Sequence, residues 1–484
     1  MNWRLAEPLA VAPSSRGFRV GLVAAAVALF ALYYYMSWTQ YLAGRVLGDP
    51  VIYFNAMLSS NAAGRWLVNP YTQNFYFCTH LELWFFPATL LYIIHDGLPT
   101  YIALVDLALA AVVVPLGLFA RRATGSVWVA AALCVLWAFN TLTVSLLFAL
   151  HCENLVLVPW FVLFWAVESN RKRWMWIAVA VLLCVKEDSP VWLTVFALWL
   201  GVFGRLKWRD AGKLAGVAVA AYIVFRITIS SIPVSNPGER GEFWVAERFG
   251  ENAHSLPGLL IHFVSHPIEL ARDLASPVWR ALILAGGFVC VLGWRALLLL
   301  LPPAIFFLSS DWDEFNQLLY YYSYPFLPPL FLAAAQGSRW ILERAGRRRA
   351  AEFLLAAAIA LIGLGQLVLG RSRTDHYIFR PFEERPHEIV ARRFVQEAVP
   401  REERGARAMA QLDLAAYVPR GSQLVPMKAE FLDRADRVLL DRQGEAYDIT
   451  AEELKALRAK LDDPQGPWRL AKRQEGLELY MRQH

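Results

Sequence analysis

The sequence predicts an all-α polytopic membrane protein carrying a small α/β domain at its C-terminus. Three observations predict it. Of 484 residues, 57% are apolar and 14% aromatic, with a mean hydropathy of +0.37. Long apolar runs recur through most of the chain. Beyond Gly370 the composition turns Arg/Glu-rich with modest apolar alternation.

A helix needs about 20 apolar residues to cross roughly 30 Å of hydrocarbon, fewer where protein shields an end. Candidate spans fall at about 18–41, 99–120, 125–150, 154–169, 173–186, 189–204, 213–231, 277–293, 295–309, 318–337 and 351–370, eleven in all. The first has no small-residue cleavage site behind it and reads as an uncleaved helix, not a signal peptide. Basic clusters test the count: Arg16 with Arg19, Arg121 with Arg122, 171–173, 205–213, Trp294 with Arg295, and 344–349 all face the cytoplasm if there are eleven spans. The N-terminus is then cytoplasmic. That agreement requires 81–94, LELWFFPATLLYII, to be re-entrant or interfacial, since 14 residues with Pro87 inside are short for a span.

The same count puts several polar stretches on the outer face: 44–80, the HCEN turn at 151–154, the KED turn at 186–188, 235–255, 309–317 and the C-terminal tail. Between 256 and 275, LPGLLIHFVSHPIELARDLA mixes apolar and charged positions at helical spacing, as in a helix lying on the membrane surface. The domain division is 1–370 for the membrane part and 371–484 for a soluble extracytoplasmic part. In the latter, RADRVLLD followed by DITAEELKALRAKL reads as strand, turn, N-cap and amphipathic helix.

The net charge of +6 comes largely from Arg clusters between apolar runs, which marks topology rather than a nucleic-acid surface. Five cysteines show no CxxC spacing, so neither a zinc site nor a disulfide framework is indicated. Cys78 and Cys152 both fall on the outer side. A single bridge between them is one reading, and free thiols in apolar surroundings the other.

Chemistry concentrates in the outer stretches. Asp49, at the membrane surface, is suited to act as general base on an acceptor hydroxyl or to hold a metal; Asp-Pro is equally a common helix start. His80 and Glu82 stand at i, i+2, which puts them on different faces of a helix, and structural capping is their simpler role. His151 and Glu153 repeat that spacing in a tight turn suited to a substrate hydroxyl or an ion. Lys186, Glu187 and Asp188 lie between nearly uninterrupted apolar helices, which suggests mutual pairing within a bundle or a cationic grip on phosphate. Arg226, about five residues short of its helix's outer end, snorkels to the interface or clamps phosphate. Tyr322, in LLYYYSYPFLPP, starts a helix among interfacial tyrosines, with contact to sugar or isoprenoid as the sharper alternative.

In their order, DPVIYFNAMLSSNAAG, HLELWFFPATLLY, HCENLVLVP, VKEDSP and QLDLAAYVPRGSQLVPMKAEFLDRADRVLLD resemble the multi-pass membrane proteins of domain-of-unknown-function family 2079, related to the GT-C glycosyltransferases. The KED turn is the most specific match. Cys152 stands where a proline is usual, and Pro50 where GT-C enzymes often carry a second acid. The resemblance runs from about Asp49 to the C-terminus. It implies a GT-C-like fold, Asp49 as the catalytic acid of the first external loop, a polyprenyl-phosphate-linked sugar as donor, and often a divalent cation such as Mg or Mn, for which Asp49, His80 and Glu82 are the candidate ligands.

The expected function is therefore transfer of a sugar from a lipid carrier to a glycan, lipid or protein acceptor on the periplasmic face. No P-loop or dinucleotide fingerprint occurs, in keeping with a nucleotide-free donor. A lipid or small-solute transporter, and a non-enzymatic assembly subunit of a cell-envelope glycan pathway, are the alternatives.

Overall fold

The computed structural model describes residues 15–43, 49–62, 64, 66–67, 77, 81–95, 97–232, 256–276, 278–310, 317–318, 322–369, 385–400, 405–415, 417–419, 422–443 and 450–483. Among them, five helical runs are long and apolar enough to cross a membrane. These are α1 (Arg16–Leu42), the pair α4 (Leu98–Ala111) and α5 (Val113–Thr124), α11 (Trp208–Ser231), α15 (Val289–Leu308, partly 3-10) and α17 (Arg349–Leu369). A sixth arises if α6 (Val127–Phe139) and α7 (Thr141–Ala149), bent by 46°, form one span. The expected runs at 154–169, 173–186 and 189–204 become α8 (Leu157–Glu168), α9 (Lys172–Val185) and α10 (Ser189–Val202), of 12 to 14 residues. At 1.5 Å per residue these are roughly 18–21 Å long, shorter than the hydrocarbon layer. The doubtful stretch 81–94 yields only α3 (Phe85–Ile94), ten residues.

One boundary differs from expectation. The break between 277–293 and 295–309 does not fall at Trp294 and Arg295. Helix α14 (Val278–Ala285) stops after eight residues at Gly286 and Gly287, where Gly287 and Phe288 have positive φ of 69° and 58°. The chain then runs through Arg295 to Leu308 without leaving helical geometry, its guanidinium lying over the Trp294 ring. Two adjacent glycines interrupt a helix; one arginine that can lay its charge on an aromatic face does not.

The bend between α6 and α7 is satisfied by side chains, as a broken span in lipid requires. Asn140 Oδ1 accepts from the amides of Leu142 and Thr143, while Gln366 accepts from Thr141 N and donates to Leu284 O. Close packing elsewhere rests on glycine. A Cβ at Gly337 of α16 (Leu327–Arg344) would run into the carbonyl oxygen of Val289, and one at Gly293 into that of Ala333.

The bundle has a basic end. Arg121 lies over Phe18, Arg122 Nε donates to Glu168 O, Arg205 pairs with Glu168 at 3.1 Å, and Arg347 donates to Thr124 O. The basic clusters of α1, α5, α10 and α16 thus gather on one side, as the topology reading expects. The acidic turns lie at the opposite end.

The C-terminal residues build a five-stranded sheet of order β2-β1-β3-β5-β4, from β1 (Arg407–Ala410), β2 (Gln423–Val425), β3 (Arg437–Asp441), β4 (Trp468–Gln474) and β5 (Leu477–Arg482). β1 pairs parallel with β2 and β3, and β5 antiparallel with β3 and β4. On one face Phe394 and Val395 of α18 (Pro386–Ala398) pack on Ala408 and Leu439; on the other Leu457 and Leu461 of α20 (Ala451–Leu461) pack on Val438 and Tyr480. The expected strand at 434–441 and the expected N-cap are both present, the latter as a capping box of Thr450 and Glu453. This unit sits on the end of α1: Arg385 N donates to Ala43 O, Arg392 donates to Tyr41 O and covers its ring, and the short helix α19 (Leu412–Ala415) packs on α2 (Asp49–Ala62). The loops at 233–255 and 311–316, and the segment 370–384 that holds the expected domain boundary, lie outside the described residues.

Candidate functional site

Lys186 ends α9 and Asp188 opens α10, with Pro190 in the first turn fixing that start. The segment before α3 is tied to this turn by a backbone bond, Trp84 N to Cys184 O at 3.1 Å, which seats Glu82 beside Lys186. Lys186 Nζ lies 3.0 Å from Glu82 Oε1 and 2.7 Å from Glu153 Oε1. Trp84 Nε1 donates to the other Glu82 oxygen at 2.9 Å.

Glu153 arrives on the 3-10 turn Cys152–Val156 that joins α7 to α8, so three stretches of chain meet around one ammonium. Its second carboxylate oxygen pairs with His151 Nδ1. The Cys152 thiol points between the carboxylates, 3.7 Å from Glu82 and 3.5 Å from Glu153. Phe54 of α2 closes the cluster with its ring 5.2 Å from that of His151, edge-on. Across the turn, Tyr324 donates to Asp188 Oδ2.

Glu82, His151, Cys152 and Glu153 are all buried. Charges removed from water in this way survive only when paired. Burial works against the Lys186 ammonium, but Glu82 and Glu187 beside it prevail and hold its pKa well above the ordinary lysine range. Burial likewise raises the Asp188 carboxyl, partly offset by Lys186. The Cys152 thiol is pushed well up by burial and by Glu82, which keeps it a neutral donor. With Glu82, Glu153, Glu187 and Asp188 around a single lysine, the surplus charge of the cluster is negative.

Of the residues singled out in the sequence, the structure therefore brings together Glu82, His151, Glu153, Lys186 and Asp188, with Glu187 half-buried in the same turn. Asp49 is the first residue of α2, as the helix-start reading has it, and only its backbone is described. It precedes Phe54 by five residues, about 7.5 Å along the helix axis. His80 lies outside the described residues. Arg226 is half-buried on α11. Tyr322 is buried, its ring against that of Phe307 with centroids 5.9 Å apart.

One expectation changes: Glu82 caps no helix, because Lys186 and Trp84 each bond one of its oxygens. Of the two readings of Cys152 the structure has the free thiol, set among carboxylates; Cys78 lies outside the described residues. Sequence reasoning missed Tyr324, Cys152 and Trp84 as members of the cluster. For Tyr324 the signal was present in the tyrosine run, two positions from the residue chosen.

Next to the cluster an apolar cleft lies between Trp160, Phe164, Trp192, Phe196, Pro325 and Pro328. Trp192 stands one helical turn after Asp188, and Pro325 follows Tyr324. A polar head and an apolar tail can therefore be held side by side. As metal ligands, His151, Cys152 and Glu153 offer one atom each within 4.8 Å of one another. Nitrogen and sulfur suit a zinc-class ion, not Mg or Mn, which take oxygen ligands. Lys186 already supplies the positive charge there, so these donors do not fit an Mg or Mn centre.

A family model described as a predicted membrane protein, DUF2079, matches residues 52–479. Asp49 lies three residues before the matched segment. Among solved structures, the chain is similar to ArnT from Cupriavidus metallidurans bound to undecaprenyl phosphate, at 13% identity and a TM-score of 0.54, covering 96% of this chain and 98% of that one. The apo form of the same protein gives 13% identity, a TM-score of 0.51 and coverages of 95% and 98%. None of the curated proteins compared matches the chain. At such identity the likeness concerns the fold.

Proposed function

Because the chain belongs to the DUF2079 family of predicted membrane proteins, and because its ArnT-like, GT-C-like fold is shared with a protein seen bound to undecaprenyl phosphate, we propose that it is a membrane glycosyltransferase that takes its sugar from a polyprenyl-phosphate carrier. The observation that carries this reading is the buried polar cluster beside the aromatic cleft, at the end of the bundle opposite the arginines. The cleft suits the isoprenoid and the cluster suits a sugar. With the basic end in the cytoplasm, the site works on the periplasmic face of the inner membrane.

In this mechanism Asp49 takes the proton of an acceptor hydroxyl as the oxygen attacks the anomeric carbon. The carbon–phosphate-oxygen bond breaks with inversion, and polyprenyl phosphate leaves. A negatively charged cluster is a poor cradle for phosphate. Glu187 and Asp188, the half-buried acids of the turn, accept sugar hydroxyls instead, Lys186 holds the buried Glu82 and Glu153 together beneath them, and the Arg226 guanidinium serves the departing phosphate.

The test is transfer in proteoliposomes from a panel of labelled polyprenyl-phosphate sugars. Asp49→Asn lowers the rate by about 10²- to 10⁴-fold while the melting profile stays that of the parent. Unchanged transfer by this variant removes Asp49 from the mechanism. Movement of labelled solute without any lipid-linked sugar establishes a transporter in place of an enzyme.

A further inference from the structure

The helix α12 (Leu256–Ser265) and the helix α13 (Pro267–Leu274) meet at His266, and around this joint stand His262, His266 and Glu269. Each offers one ligand atom, all within 4.8 Å of one another, and they form one of two such groups among the described residues. His262 Nε2 is 3.8 Å from Glu269 Oε2, and the two imidazole rings stack with centroids 4.5 Å apart.

The His266 ring is held from behind. Its Nδ1 lies 3.2 Å from the backbone oxygen of His262 and 3.0 Å from Ser265 Oγ. A ring whose Nδ1–H donates to a carbonyl presents the bare Nε2 to the other side, the arrangement by which a histidine is oriented as a metal ligand. The spacing adds to this. His262 and His266 are one turn apart, and Pro267 then starts a new helix that returns Glu269 to the same side.

The geometry points to a binding site for a zinc-class divalent cation, made by His262, His266 and Glu269, that clasps α12 to α13. Two imidazoles and a carboxylate select zinc, cobalt or nickel over Mg or Ca, and three protein ligands leave a fourth position for water or another oxygen. Unlike the buried cluster, this group has no ammonium paired with its donors among the described residues; Arg272, three residues beyond Glu269, is the nearest cation along its helix.

The two helices present Ile261, Val264 and Ile268 outward at 68, 82 and 84% exposure, as the sequence expects of a membrane-surface segment. α13 packs on Leu301–Leu308, whose Phe307 touches Tyr322, so the site lies at the same end of the bundle as the acidic turns. A cation there fixes the angle between two short surface helices that share few contacts of their own.

The experiment uses the full chain, purified without a histidine tag, stripped with chelator and titrated with Zn²⁺ against a chromophoric competitor. Co²⁺ absorption reports the ligand field. We expect one tight equivalent. His262→Ala with His266→Ala weakens it by about 100-fold or more, beyond the roughly 10- to 100-fold that loss of a supporting group costs. Glu269→Gln, at an exposed position that folding does not need, weakens it measurably and shifts the Co²⁺ spectrum. Absence of a tight equivalent overturns the proposal. So does an equivalent that survives all three substitutions and disappears in Cys152→Ser, which assigns the metal to the buried cluster instead.

Discussion

Lys186 is the residue on which the polar end depends. Its ammonium separates two buried carboxylates, and removing one partner of a buried pair costs about 3–5 kcal/mol. Lys186→Ala should therefore destabilise the detergent-solubilised protein by that order, seen as a lower melting temperature, and adding Glu82→Gln should recover part of the loss. Strict additivity of the two changes, measured by thermal unfolding, means that they are not coupled. The pairing was legible in the KED turn, because three charges beside uninterrupted apolar helices need partners inside the bundle. Which partners they find was not. Glu82 lies 104 residues away from Lys186, and Tyr324 is 136 from Asp188. Separations of that size leave no periodicity in the chain, and an interfacial tyrosine looks the same whether its hydroxyl meets water or an acid.

At the scale of elements, helix existence was more legible than helix division. Arg295 read as a loop between two spans, because a charge between apolar runs usually marks a boundary. The structure breaks the chain at the two preceding glycines instead. Glycine elsewhere permits contact. Gly337→Leu should separate α16 from α15 and cost about 1–3 kcal/mol or more through overpacking. Gly365→Ala, where nothing lies within 4 Å of the added Cβ, should be neutral or stabilising. Equal melting shifts for both variants sink the idea that the α15–α16 approach is set by these small residues. The strand and capped helix of the C-terminal unit were the most legible elements, since Thr450 and Glu453 occupy capping-box positions in the sequence itself.

Across the molecule, charge sorts the two ends. Basic clusters from α1, α5, α10 and α16 converge on one side, and acidic turns from three stretches converge on the other. An impermeant maleimide added to intact cells should label Glu475→Cys, at the tip between β4 and β5, and leave Lys172→Cys unlabelled in a cysteine-free background. The reverse pattern inverts the orientation and moves the proposed site to the cytoplasm. The convergence itself was legible from the alternation of apolar runs and basic loops, even though several of those runs form helices too short to cross alone. The docking of the C-terminal sheet unit on α1 was not, because a backbone bond such as Arg385 to Ala43 depends on no side chain.

That docking has a consequence for biosynthesis. Helix α2 is made within the first 62 residues, yet its packing partner α19 starts at Leu412. At the 5–20 residues per second of translation, roughly 20–70 s pass before the ribosome delivers the piece that covers it. A nascent chain stalled before that point has its bundle but an unfinished cap over the helix that begins at Asp49, so the newborn protein should mature only after its last hundred residues have been made and folded.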